Sequence, residues 1–314
     1  MDVLSDALTV MRAGQPHANR HELYAPWGLR FSGAQGAGFH VVLQGSCWLL
    51  PPHDGAPIRL GAGDVAFLYG TGSHAIADSP TSSLAEFDPL RPNVARPGGD
   101  GDPAVVLCGA YQLDAARAHP LLSGLPPVVH LPARVGHHLS LRAALDLLGA
   151  ELENPRPGSA ALMPALLDTL LLYILRTWFE ESAGDPRADS WPAALADPTV
   201  ASALTAIHSA PDHQWTVAEL AIRAGLSRAA FAGRFSALVG RPPLTYLTWW
   251  RMTIAARLLR ESDAPLRMVA RQTGYSSDIA FSAAFKREYG IAPGRYRATA
   301  RHADQPSTPT SPVG

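Results

Sequence analysis

Val217-Ala218-Glu219-Leu220-Ala221-Ile222-Arg223-Ala224-Gly225-Leu226-Ser227 and Met268-Val269-Ala270-Arg271-Gln272-Thr273-Gly274-Tyr275-Ser276 spell one pattern twice. Phe231, Phe235, Gly240, Pro243 and Tyr246 follow the first copy, and Phe281, Phe285, Gly290, Pro293 and Tyr296 follow the second. Ala221 and Ala270 lie 270 − 221 = 49 positions apart, as do Gly225/Gly274 and Ser227/Ser276. From the phenylalanines onward the offset is 50, so one residue is inserted after the turn. A repeat carried by turn and core residues together marks a duplicated structural unit.

Each copy has the parts of a helix-turn-helix. Ala221 or Ala270 is small where a second helix must cross closely, and Gly225 or Gly274 supplies the left-handed residue that ends the first helix. Ser227 or Ser276 then caps a second helix whose apolar pair, Phe231/Phe235 or Phe281/Phe285, faces the core. The opposite face is left to touch something else. Between the copies, Leu244 to about Glu261 reads as one helix with Leu247, Met252, Ile254, Ala255, Leu258 and Leu259 as its apolar positions. At ~1.5 Å per residue it spans roughly 27 Å, near the ~34 Å between successive major-groove windows on one side of DNA.

Charge agrees with that reading. The net charge of −1 hides an asymmetry: 14 Arg+Lys against 7 Asp+Glu over 196–301, but 12 against 19 over 1–195. The basic half is the half with the repeat, as phosphate binding requires. Arginine supplies every basic residue except Lys286.

The repeat, the ending Gly290-Ile291-Ala292-Pro293-Gly294-Arg295-Tyr296-Arg297 and the linker Arg251-Met252-Thr253-Ile254-Ala255-Ala256-Arg257-Leu258-Leu259 resemble the DNA-binding domain of AraC/XylS-type transcriptional regulators. Upstream, short alternating runs such as Phe39-His40-Val41-Val42-Leu43 and Asp64-Val65-Ala66-Phe67-Leu68-Tyr69 are broken by glycine turns, the pattern of a β-barrel or jelly roll. Gly61-Ala62-Gly63-Asp64 with Gly70-Thr71-Gly72-Ser73-His74 resembles the second cupin motif, and Phe39-His40-Val41-Val42-Leu43-Gln44-Gly45 a degenerate first one.

The expected fold is therefore α+β in two domains: a cupin-like sensor over 1–135, helices over 136–182 that pack or oligomerise, a linker over 183–195, tandem helix-turn-helix units over 196–301, and a disordered tail over 302–314. Residues 1–20 read as a helix from Val3 to Arg12 and a loop, and Pro89 to Pro103 as a loop. Helices are expected at about His138 to Glu153 and Ala160 to Ser182; the second is apolar on nearly every side and is read as a dimer contact or a core helix. Asp197-Pro198 gives a cap and a first-turn proline for a helix to about His208.

Base reading needs side chains on the outward face of the recognition helices. In the first copy these are Arg228, Ala229, Ala232, Gly233 and Ser236, with Ser227 at the cap and Arg234 beside them; in the second, Ser276, Ser277, Asp278, Ile279, Ser282, Ala283 and Lys286. Arg228, Arg251, Arg287 and Arg295 are candidates for phosphate or base contacts. Members of the family often carry arginine where this chain has Gly233 and Ala283, which leaves Arg228 and Arg234 as the strong readers of the first helix.

A cupin metal centre usually has two or three histidines and a carboxylate. Only His40 and His74 stand in matching places, so a catalytic iron or manganese set is not expected and no cofactor is required. Cys108, on a strand that approaches both, would make a two-imidazole, one-thiolate set for zinc, with His17 or His21 as a fourth ligand. Cys47 and Cys108 read either as small buried residues or as an oxidant sensor. Two cysteines and no signal peptide point to a cytoplasmic protein, and Ala160 to Leu175, interrupted by Pro164 and Asp168, is too short to span a bilayer. The resemblance implies a regulator, not an enzyme, that binds double-stranded DNA, forms a homodimer, contacts RNA polymerase and senses a ligand, metal or redox signal. Two rival readings are a cupin metalloenzyme with an accessory helical domain and an interaction adaptor that has lost base reading.

Overall fold

The computed structural model describes residues 2–11, 15–32, 36–53, 55–70, 72–87, 103–111, 119–134, 136–182 and 190–303. They form two units, Met11–Pro192 and a second made of Met1–Val10 with Ala193–Gly314.

The first unit is a β-sandwich. Strands β1 (His17–Leu23), β2 (Gly28–Phe31), β3 (Ala37–Gln44), β4 (Ser46–Leu50), β5 (Ile58–Gly61), β6 (Val65–Tyr69), β7 (His74–Ala77), β8 (Ala85–Glu86), β9 (Ala104–Tyr111) and β10 (Val128–Leu131) build two five-stranded sheets. One has the order β1-β9-β3-β6-β10 and the other β5-β4-β7-β2-β8. All pairs are antiparallel except β2 with β8. Alternation along each strand sends Val42, Val106 and Cys108 from one sheet, and Leu29, Cys47, Leu49 and Ile76 from the other, into a single core. β1 occupies residues read in part as a loop. Its polar sequence, His-Ala-Asn-Arg-His-Glu-Leu, lacks an apolar alternation because it is an edge strand held by β9 alone.

The short helix α2 (Pro120–Ser123) precedes β10, and α3 (Leu139–Glu153) and α4 (Ser159–Ser182) follow it. Leu166, Leu167, Leu170, Leu171, Ile174 and Leu175 of α4 are buried, and the Leu167 carbonyl accepts a hydrogen bond from Tyr111 Oη at 2.7 Å. By length and composition α4 would suffice to cross a membrane; its leucines from Leu166 to Leu175 are buried inside this unit except the half-buried Leu172, while Leu162 near its start is exposed. The most exposed large apolar side chains among the described residues of this unit lie on α3: Leu139 is 70% exposed and Leu147 61%, with Ala143 and Ala150 along the same stripe.

In the second unit, α1 (Val3–Met11) buries Val3, Leu4 and Ala7, so the first ten residues join the helical unit, although the sequence reading grouped them with the barrel. Asp6 on α1 accepts a hydrogen bond from Nδ1 of His208 at 3.3 Å, and Tyr246 Oη donates to Nε2 of the same ring at 2.7 Å. Burial holds His208 below the usual histidine range despite the nearby Asp6 carboxylate, which keeps the ring neutral and fixes both bonds. Residues 190–195 of the expected linker are helical, in α5 (Ser190–Ala196), which runs across the boundary of the two units and has Trp191 and Ala194 buried. The Pro89–Pro103 loop, nearly all of it, most of the linker and all but the start of the tail lie outside the described residues.

The remaining elements are α6 (Pro198–Ser209), α7 (Val217–Arg223), α8 (Arg228–Val239), α9 (Pro243–Glu261), α10 (Leu266–Gln272), α11 (Asp278–Tyr289) and α12 (Pro293–Ala303). α7 with α8, and α10 with α11, are the two copies. α9 joins them as one unbroken helix of 19 residues, about 28 Å long.

Candidate functional site

The two copies share their backbone devices. Gly225 and Gly274 adopt φ of 66° and 77°, and the next residues return amides to the carbonyls of Ala221 and Ala270. This is the glycine-closed helix end that the sequence indicates. Gly240 and Gly290 close α8 and α11 in the same left-handed way, at 76° and 72°. Phe231, Phe235, Phe281 and Phe285 are fully buried. Tyr246 packs edge-on to Phe235 at 5.9 Å and Tyr296 to Phe285 at 5.3 Å.

The inserted residue falls inside the second turn. Ser227 caps α8 by accepting from the Ala230 amide at 3.3 Å, but α11 is capped by Ser277, which accepts from Ile279 at 3.2 Å and Ala280 at 3.3 Å. Ser276, expected at that cap, is an exposed turn residue.

Burial of Phe231, Phe235 and Val239 turns the other side of α8 outward: Ser227, Arg228, Ala229, Gly233 and Arg234 are exposed, and Ala232 is half-buried. On α11, Asp278, Ile279, Ala283, Lys286 and Arg287 are exposed, and Ser277 and Ser282 half-buried. Arg295, on α12, is exposed as well. The structure therefore gathers these expected residues on the outward sides of the second helix of each copy and the helix after it.

Arg251 requires a correction. It is 8% exposed; its Nε donates to the Pro211 carbonyl at 2.6 Å and Nη2 to the His213 carbonyl at 2.9 Å, and its guanidinium lies 5.8 Å from the Tyr275 ring centre. It braces the turn of the second copy and is not available to DNA. Arg234, although exposed, is also tied down: its guanidinium pairs with Asp197 through two nitrogens, Nε at 2.6 Å and Nη2. Asp197 also caps α6, accepting from the amides of Thr199 and Val200. Burial works against the charge of Asp197, but bonds from Thr199, Arg234 and those amides outweigh it and hold the carboxyl well below its ordinary range. The sequence signals the cap through Asp197-Pro198; it gives no sign of the arginine that α8 lends it.

In the barrel, His40, His74 and Cys108 do come together, in a row. His40 Nδ1 lies 3.1 Å from Cys108 Sγ and His40 Nε2 lies 2.8 Å from His74 Nε2. Burial pulls His74 down to about 4, against its bond to the Gly72 backbone. Burial, with His74 and His21 adding to it, holds His40 well below its usual value, so both rings are neutral near pH 7. A neutral imidazole has one N–H and one bare nitrogen, so His40 donates to one of its two neighbours, His74 and Cys108, and accepts from the other. Burial raises the Cys108 thiol well above its ordinary value, and burial with the Asp64 charge pushes Cys47 up to about 12. Both free cysteines are buried thiols, without the thiolate character that an oxidant attacks.

That row does not fit the expected zinc set. Both His40 nitrogens are engaged, on opposite sides of the ring, so Cys108 stands behind His40 instead of sharing a centre with it. Among the described residues no group of three or more His, Cys, Asp or Glu is placed to hold a metal ion. All three residues of the row line a cavity of about 430 Å³, whose wall also includes Phe31, Leu68, Tyr69, Phe87 and Pro127. Phe31 stacks on His74 with ring centres 5.1 Å apart. His17 also reaches the cavity, whereas His21 packs edge-on to Phe87.

A cupin family model matches residues 2–180, and a helix-turn-helix domain model matches 220–299. Over 302 residues the chain is 38% identical to an AraC-like transcription regulator of Streptomyces antibioticus, across 95% of this chain and 98% of the relative. The chain belongs to the AraC-type transcriptional regulators. It is 30% identical to the HTH-type transcriptional regulator AlkR of Acinetobacter baylyi, across 82% of this chain and 86% of that one. Among solved structures, the DNA-binding domain of AdpA in complex with a target DNA is 36% identical, covering 34% of this regulator and 96% of that chain, with a TM-score of 0.33. The helix-turn-helix units are thus those of a DNA-binding regulator, the N-terminal domain is cupin-like, and both the Streptomyces and the Acinetobacter relatives are named as transcription regulators.

Proposed function

We propose that this regulator binds double-stranded DNA through the outward faces of α8 and α11, held about one helical turn apart by α9, and that the cupin-like barrel senses a small, largely apolar molecule. The observation that carries the first part is the pairing of identical turn geometry with two exposed helix faces in a unit of charge +7 over 196–301, by 14 basic against 7 acidic residues. Arg228, Lys286, Arg287 and Arg295 are the phosphate or base contacts in this reading, with Ala229, Ala232, Gly233, Ser276, Ser277, Asp278, Ile279 and Ser282 lining the faces. Arg234 positions α8 through Asp197.

Titration of the full chain with promoter fragments at several salt concentrations tests this. A regulator retains specific binding at moderate salt, and Arg228→Ala lowers affinity about tenfold and reduces the salt slope by about one. Weak binding that salt abolishes for every fragment would favour the adaptor reading instead.

The sensing proposal is supported by the cavity, whose volume suits a small-molecule site and whose wall is mostly apolar apart from the His40–His74–Cys108 row. Phenol and toluene are suitable probes: binding should raise the melting temperature of wild type and not of Phe31→Ala. Homodimerisation is assigned to the α3 stripe, since Leu139 and Leu147 are the most exposed large apolar side chains among the described residues of the first unit. Leu139→Glu with Leu147→Glu should sediment as a monomer where the parent sediments as a dimer. Action in the cytoplasm on RNA polymerase follows from the family's role, and in vitro transcription from a bound promoter tests it.

A further inference from the structure

The copies differ most on the faces they present. With the offset of 50, Arg228, Ala229, Ala232, Gly233 and Ser236 of α8 correspond to Asp278, Ile279, Ser282, Ala283 and Lys286 of α11. Beyond Arg228, no side chain on that strip of α8 extends past one atom from Cβ. On α11 the strip bears an isoleucine. Ile279 is 83% exposed, the most exposed large apolar side chain among the described residues.

Its placement is defined. Ile279 is the second residue of α11, its own amide is bonded to Ser277 Oγ, and a β-branched side chain in a helix has essentially one χ1 rotamer. The next residues along that face, Ser282 and Ala283, are short, so nothing on the helix covers it. Lys286, two turns along, offers a charge to the phosphates. The edges of base pairs in the major groove show hydrogen-bonding groups and one apolar feature, the C5-methyl of thymine.

We propose that Ile279 is a specificity-determining residue that selects a thymine by packing against its C5-methyl, and that α11 therefore carries more base identity than α8. This rests on the reading of α8 and α11 as the DNA-contacting helices. The same face is what a protein lacking base reading would also expose, so the test must separate the two.

Duplexes are enriched from a random library with the full-length protein, and each thymine of the winning sequence is replaced singly by deoxyuridine, which removes one methyl group and nothing else. At one position the replacement should weaken wild-type binding about fourfold, the worth of one buried methyl group. Ile279→Ala should bind the thymine duplex weaker by the same factor and be indifferent to uracil at that position, while Ile279→Val keeps the preference. Residue 279 is exposed, so all three proteins should melt alike. A uracil profile identical for wild type and Ile279→Ala would overturn the thymine assignment and leave DNA reading standing. A library that yields no enriched sequence would overturn both.

Discussion

The two helix-turn-helix copies are alike inside and unlike outside. Their glycines, phenylalanines and tyrosines superimpose in role, down to the left-handed φ at Gly225 and Gly274. Their outward strips share no residue: Arg228-Ala229 against Asp278-Ile279, Gly233 against Ala283, Ser236 against Lys286. Their supports differ too, since Arg251 braces the second turn while Arg234, with Asp197, anchors the helix of the first. A duplicated scaffold has kept the positions that packing dictates and released those that only a partner would constrain.

If the interiors are equivalent, removing a core ring should cost the same in either copy. Phe235→Ala and Phe285→Ala should each lose about 4 kcal/mol in denaturant unfolding, and a gap larger than about 1 kcal/mol between them would break the equivalence.

The turns should separate next. A methyl group added at Gly225 meets nothing within 4 Å, so Gly225→Ala pays only for its left-handed backbone, about 1 kcal/mol. At Gly274 the same atom would stand 2.8 Å from the Asp212 carbonyl oxygen and 2.6 Å from the Arg251 guanidinium. Overpacking raises the cost of Gly274→Ala to about 3 kcal/mol. Arg251→Ala strips the Pro211 and His213 carbonyls of their donor and should cost about 2 kcal/mol. Lysine at 251 should not restore it, because one ammonium cannot reproduce the planar fork. The smallest effect has the opposite sign. Gly233 is inside α8 with open space beside it, so Gly233→Ala should gain about 1 kcal/mol of stability. A loss of DNA affinity in that variant would show that the backbone of α8 lies against the duplex.

Most of the scaffold was legible because the repeat is written in residues with local rules: glycine for left-handed ends, serine and Asp197-Pro198 for caps, i, i+4 phenylalanines for a buried stripe. What failed to show depends on neighbours distant in sequence. Arg251 looks like any arginine on a linker helix until Pro211, His213 and Tyr275 are placed around it. The cap at Ser277 instead of Ser276 follows from where a single insertion is absorbed, which two adjacent serines cannot reveal. His40, His74 and Cys108 were legible as neighbours, but whether three ligand types converge or line up is a matter of ring orientation. α1 gives no sequence sign of its destination, since Val3, Leu4 and Ala7 would suit any apolar groove.

The claim underlying all of this is that one chain grips one side of a duplex through two windows, with the 19-residue α9 as the spacer. Hydroxyl-radical and guanine-methylation footprinting of the full-length protein on an enriched duplex measures it directly. The account predicts two protected major-groove windows per protomer on the same face, about 10 base pairs apart, with Arg228→Ala opening one and Lys286→Ala the other. A single protected window, or two on opposite faces of the helix, would contradict it.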